Sequence, residues 1–287
     1  MNIEKYGYKL WTKKPNTICP GAKVYTKKVH VEVENKDKDR LIRVYLPSTY
    51  DFSNPNKRFP VIYMMDGKNL FDDYTSFVGE WGVDETIEEA IKRGDTDGII
   101  VVGIDSAFKS ADRALEMVPP DAELRKRVSP IPAGYAQILG DFIFHELKKE
   151  IDVVFYTMPE REHTGVGGSS MGGLMAYFLY RSYREYVGYS ISFSPAFFLY
   201  KKKTFYQDLE KYIDNKESLG KICLYVGGVG FESEFVEQTR RAYMHFLSKD
   251  FIDGKDILYI EDPKQEHNEK AWRKYFPDAL KFFNYLK

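Results

Sequence analysis

The chain has 287 residues, and 42 Lys+Arg against 43 Asp+Glu leave a formal charge of −1. With 43% hydrophobic and 30% charged residues it reads as a globular protein that needs no disulfide or metal staple, and near-neutral charge argues against a nucleic-acid partner. No run of about 18 apolar residues is present, so no transmembrane helix is expected, and MNIEKYGYKLW lacks the apolar core of a signal peptide, which makes a cytoplasmic location the expectation.

Residues 1–27, with Pro15, Pro20 and Gly21, read as an irregular arm ahead of one domain over 28–287. VHVEV (30–34) and RLIRVYLP (40–47) alternate apolar and polar residues around a charged turn, which predicts an antiparallel hairpin. FPVIYMMDG (59–67) is continuously apolar, as a strand buried on both faces must be. Helical periodicity with acids early, bases late and a closing Gly marks 83–94. Strand and helix patterns then alternate: strands 98–105, 162–170, 186–195, 221–228 and 255–262, helices 131–152, 171–183, 234–250 and 269–286, the last interrupted at Pro277. The segments 106–132 and 195–220 read as long loops of the kind that carry function. The pattern implies an α/β fold: a single doubly wound, mostly parallel sheet with an antiparallel N-terminal hairpin and helices on both faces.

The strongest chemical signal is GGSSMGG (167–173). Only Gly168-x-Ser170-x-Gly172 fits G-x-S-x-G, so Ser170 rather than Ser169 is the nucleophile candidate. An apolar strand precedes it and an apolar helix follows at once, and a turn this tight admits only small neighbours. A serine hydroxyl needs a base. Of the five histidines, His30 lies in the hairpin, His145 and His245 within helices, and His163 at the start of the nucleophile strand. His267 alone follows a strand in a polar loop, and the chain order Ser…acid…His fits a triad. The acid is expected in GGVGFESEF after strand 221–228, where Glu232 lies nearer the strand end than Glu234. Oxyanion donors are expected from the Met171 N–H and from the loop after VIYMM, at Lys68 N–H or else Gly67 N–H. Aromatic residues reach 16%, and Phe71, Trp81, Tyr135 and Phe197 are candidates to line the cleft. The two cysteines, Cys19 and Cys223, are too few for a disulfide framework or a Cys-rich metal site and are expected to serve packing.

PVIYMMDGKNLFDD, EWGVDETIEEAI, VVGID, GGSSMGG and EHNEKAWRKYFPDAL together resemble the putative-esterase family of α/β hydrolases over about residues 28–287. That family contains esterase D-type S-formylglutathione hydrolases, enterochelin esterases, mycolyltransferase antigens, and the feruloyl and acetylxylan esterases of carbohydrate esterase family one. The resemblance implies the α/β-hydrolase fold, with Ser170 as nucleophile, His267 as base, an acid near Glu232, and Met171 and Lys68 as oxyanion donors. It implies hydrolysis of a small-molecule ester, without metal or cofactor, and an acylated oligosaccharide is the expected partner. A siderophore lactone or a thioester is the alternative substrate, and a non-catalytic ligand-binding relative is the reading from another class. GGVGFESE is longer than the family's usual turn before the acid, and Leu174 stands where the S-formylglutathione hydrolases continue Gly-His.

Overall fold

A computed structural model describes residues 3–32, 39–107, 109–123, 134–214 and 216–287. Nine strands form one sheet in the order β1-β2-β3-β5-β4-β6-β7-β8-β9. They are β1 (Lys9–Leu10), β2 (Lys23–His30), β3 (Asp39–Leu46), β4 (Val61–Met65), β5 (Ile100–Ile104), β6 (Thr164–Ser169), β7 (Tyr189–Phe193), β8 (Lys221–Val226) and β9 (Ile257–Glu261). Pairing is antiparallel from β1 to β5 through β3 and parallel from β5 to β9. The α/β class, the doubly wound parallel sheet and the antiparallel start therefore stand as the sequence indicates.

Side-chain alternation builds two cores, one per face. In β4, Val61, Tyr63 and Met65 join one apolar cluster, while Ile62 and Met64 join the other. That is why this strand has no polar position. The first cluster receives α3 (Ala136–Asp141), α4 (Lys148–Val154), α5 (Met171–Ser182) and α7 (Ser233–Ser248). The second receives α1 (Val83–Arg93) and α8 (Glu269–Phe282). Helix α5 is buried from Gly172 to Arg181, so it is apolar on every side rather than along a stripe.

Four segments depart from the sequence pattern. The first hairpin strand is β2, Lys23–His30, which takes in the end of the expected arm; of the expected strand 30–34, residues 33 and 34 lie outside the described residues. The expected loop 106–132 contains a helix, α2 (Ser110–Met117), and its residues 108 and 124–132 lie outside the described ones. Buried Glu116 holds this helix by accepting from Arg40 on β3 and, at 2.7 Å, from the Ala107 N–H. The expected loop 195–220 contains α6 (Lys202–Tyr212). The expected interruption at Pro277 is absent: α8 continues through it, sacrificing one backbone donor while Phe276, Ala279 and Leu280 keep their packing.

Candidate active site

The C-terminal ends of β4, β6, β8 and β9 lie along one edge of the sheet, where loops of an open α/β fold build their crevice. Ser170 sits between β6 and α5 at φ 60°, ψ −119°, a conformation that costs a non-glycine residue about 1–3 kcal/mol. Its backbone is over-determined: Ser170 N–H donates to Phe193 O at 3.0 Å, and Ser170 O accepts from Leu174 at 3.0 Å and Ala196 at 3.1 Å. A Cβ on Gly168 would stand 2.6 Å from the carbonyl carbon of Gly172, so this position has to be glycine. Met171 opens α5, where an N–H has no intrahelical acceptor.

Across the crevice, Asp66 follows β4 in the left-handed region, at φ 57° and ψ 49°. It starts a short helical turn, Gly67–Asn69, that leaves the Lys68 N–H without an intrahelical acceptor. Gly67 packs so closely on β5 that a Cβ would meet Gly103 C at 2.7 Å. The Asp66 carboxylate takes two bonds from Arg113 of α2, at 2.7 and 2.6 Å. Burial pushes the Asp66 pKa up, but the Arg113 charge and these bonds outweigh it, so the net shift is downward. Asn69 secures the next stretch: its Nδ2 donates to Glu269 at 3.1 Å and its Oδ1 accepts from the Phe77 N–H at 3.2 Å.

His267 follows β9, and its Nδ1 is hydrogen-bonded to Glu232 Oε2. Glu232, in the turn Gly230–Glu232 after β8, is fully buried. Its other oxygen accepts from Gly227 N at 2.8 Å and from Ser194 Oγ at 2.5 Å. Ser194 Oγ in turn accepts from Trp272 Nε1 at 2.9 Å. The Trp272 ring stands at 88° to the imidazole with centroids 5.0 Å apart, and Phe235 packs on it at 4.5 Å. The imidazole is thus held at one nitrogen and along its flanks, which leaves Nε2 for chemistry. Glu234 is exposed in the first turn of α7.

A cavity of about 400 Å³ joins these parts; Asp66, Lys68, Asn69, Phe77, Val78, Arg113, Ser170, His267, Glu269 and Trp272 are among its walls. None of the four proposed cleft aromatics lines it. Phe71 stacks on Tyr45, Trp81 on Phe193, and Phe197 meets Tyr177 edge-on, all three in the core because their apolar area is worth more there. Tyr135 precedes α3, and its N–H donates to Leu115 O. The walls are instead exposed Phe77 and Val78 with Lys68 and Arg113. Sequence reasoning gave no role to Asp66, Asn69, Arg113, Ser194, Glu269 or Trp272, although Asp66 and Asn69 stand in PVIYMMDGKNLFDD and Glu269 and Trp272 in EHNEKAWRKYFPDAL. A second cavity at the opposite strand ends, around Arg161, Gly188 and Lys221, has no serine, cysteine or histidine among the described residues of its walls.

Residues 34–283 match the family described as "Putative esterase". The chain belongs to that family. The esterase is 23% identical over 259 residues to the "Uncharacterized protein YbbA" of Bacillus subtilis, covering 87% of this chain and 94% of that one. It is 24% identical over 281 residues to "Endo-1,4-beta-xylanase Y" of Acetivibrio thermocellus, covering 92% of this chain but only 23% of that one. Among solved structures, a ferulic acid esterase superposes with a TM-score of 0.65 at 15% identity, over 92% of this chain and 97% of that chain. The ferric enterobactin esterase of Salmonella typhimurium gives 0.68 at 18% identity, over 91% of this chain and 57% of that chain. The fold is therefore that of these hydrolases, and the family is one of carboxylic-ester hydrolases.

Proposed function

We propose that the esterase is a serine carboxylic-ester hydrolase that works through an acyl-enzyme, on acetyl or hydroxycinnamoyl esters of carbohydrates. The observation that carries this reading is one cavity holding both a strained Ser170 and a His267 whose Nδ1 is bonded to buried Glu232. Ser170 Oγ attacks the ester carbonyl as its proton passes to His267 Nε2. The Met171 and Lys68 N–H groups receive the oxyanion. The proton then goes from His267 to the departing alkoxide. Water, deprotonated by the same nitrogen, attacks the acyl-serine and returns the enzyme with a carboxylic acid. Glu232 keeps its charge throughout and stabilises the imidazolium.

The hydroxycinnamoyl side of the proposal draws on the cavity's apolar wall. Phe77 and Val78 offer a flat aromatic acyl group an apolar contact, while Lys68 and Arg113 suit a hydroxylated or oxygen-rich rim. The names of the ferulic acid esterase and the xylanase point the same way. The test is a panel of an aryl acetate, methyl ferulate, acetylated xylo-oligosaccharides and a catecholate lactone, run with wild type and Ser170→Ala. The expected result is a loss of about 10⁴- to 10⁶-fold in kcat in the variant, with a feruloyl or acetyl sugar ester as the best wild-type substrate. Equal activity in both proteins removes Ser170 from the mechanism. A clear preference for the catecholate lactone overturns the carbohydrate assignment and leaves the serine chemistry standing.

A further inference from the structure

The N-terminal segment meets the start of α1 in a nest of acidic groups, none of which lines the cavity around Ser170. Cys19 N–H donates to Asp84 Oδ2 at 2.9 Å. The Cys19 sulfur, a carboxylate oxygen of Asp84 and one of Glu85 all lie within 4.8 Å of one another. Asp84 is 0% exposed, yet its Oδ1 has no hydrogen-bond partner among the described residues. Glu85 Oε2 and Glu80 Oε2 are buried and unpartnered in the same way. Buried carboxylate oxygens without donors are costly, so something is expected to meet them. Arg273 Nη2 stands 3.7 Å from the other oxygen of Glu85 and offsets one of these charges only.

We infer that Cys19, Asp84 and Glu85, with Glu80 beside them, form a binding site for a thiophilic divalent cation, zinc in the first place. A thiolate ligand selects zinc over magnesium or calcium, which take oxygen ligands. Tetrahedral zinc with ordinary bond lengths sets its ligands about 3.4–3.6 Å apart, so a small inward turn of three side chains closes the site. The Cys19 thiol proton leaves to solvent as the metal–sulfur bond forms. The site is a clasp rather than part of the ester chemistry. It ties the segment around Cys19 to α1, at the end of the loop that carries Phe77 and Val78. Thr17 reinforces the same seam: its N–H donates to Asp72 at 3.2 Å and its hydroxyl accepts from the Asp73 N–H at 2.9 Å.

The experiment is calorimetric titration of zinc into the chelator-stripped full chain, with calcium as a second arm, for wild type, Cys19→Ser and Asp84→Asn. One zinc per chain is expected, each variant weakening it by more than about 100-fold, and zinc should raise the Tm of the wild type alone. Near-UV circular dichroism of the metal-free proteins checks that the variants are folded. Cys19 is partly exposed, so Cys19→Ser carries the test by itself if Asp84→Asn does not fold. Zinc binding equal in wild type and Cys19→Ser overturns the inference and leaves a proton-sharing acid cluster. Calcium binding as tight as zinc overturns it as well, because the thiol then has no role. Ester hydrolysis is not the readout, so neither result bears on Ser170.

Discussion

Ser194 braces the proposed site from behind its acid. It donates to Glu232 and accepts from Trp272, and it lies outside the walls of the cavity. It is a positioning residue, so Ser194→Ala should lower kcat by about 10- to 100-fold, the worth of one hydrogen bond to a buried charge, and leave KM unchanged. A matching rise in KM would place the residue against substrate instead. Glu232→Gln should cost more, about 10⁴-fold in kcat, because the imidazole loses the carboxylate that fixes its tautomer. The Asp66–Arg113 pair makes a prediction in pH. Its folded-state pKa lies below the ordinary aspartate value, so the pair's contribution is complete above that ordinary value and fades as pH falls through the folded one. In urea titrations, the stability gap between wild type and Asp66→Asn should hold from pH 5 to 8 and begin to close below about pH 4. A constant gap down to pH 2 would mean that charge has no part in the pair.

At the scale of elements, the β6–α5 elbow was the most legible feature. Its glycine spacing is dictated by contacts between backbones a few residues apart, and such local demands are written in the sequence. They can also be ranked. Gly168→Ala drives a Cβ into the Gly172 backbone at 2.6 Å, whereas on Gly172 it meets Met65 Cβ at 3.0 Å and Asp66 Oδ2 at 3.1 Å. The first substitution should cost several kcal/mol or prevent folding and the second about 1–3 kcal/mol, as read by chemical denaturation. The helices α2 and α6 were illegible for the opposite reason. α2 is eight residues long, too short to stand on propensity, and rests on Arg40, which is 76 positions from Glu116. No window of sequence contains that contact. Phe71, Trp81 and Phe197 were misplaced for a similar reason: composition records how many rings there are, and only the packing decides which of them the core absorbs. The positions of His267 and Glu232 were legible because each follows a strand whose apolar run is plain, and the turn Gly230–Glu232 brings Glu232 rather than Glu234 to the imidazole.

The described residues form a sheet between two apolar clusters, one on each face, to which alternating side chains of shared strands contribute. If the described residues unfold as one unit, the two faces must melt together. Trp81 and Trp272 report on the face built from α1 and α8, while far-UV circular dichroism reports on all helices. The two signals should trace one urea transition with a common midpoint. Separate midpoints would divide the chain into independently stable parts. No helix among the described residues is long and apolar enough to cross a membrane.

The order of the sheet has a consequence for a chain still being made. The elbow at Ser170 needs β4, β6 and β7 around it, and all are complete by Phe193. Glu232 and His267 arrive only after β8 and β9, 62 and 97 residues behind the serine. On the proposed mechanism, a nascent chain carries a formed but unactivated hydroxyl from Phe193 until His267, 74 residues later. At an elongation rate of about 5–20 residues per second, that is about 4–15 seconds during which the proposed site is silent. On that reading, its reactivity switches on when the last strand takes its place at the edge of the sheet.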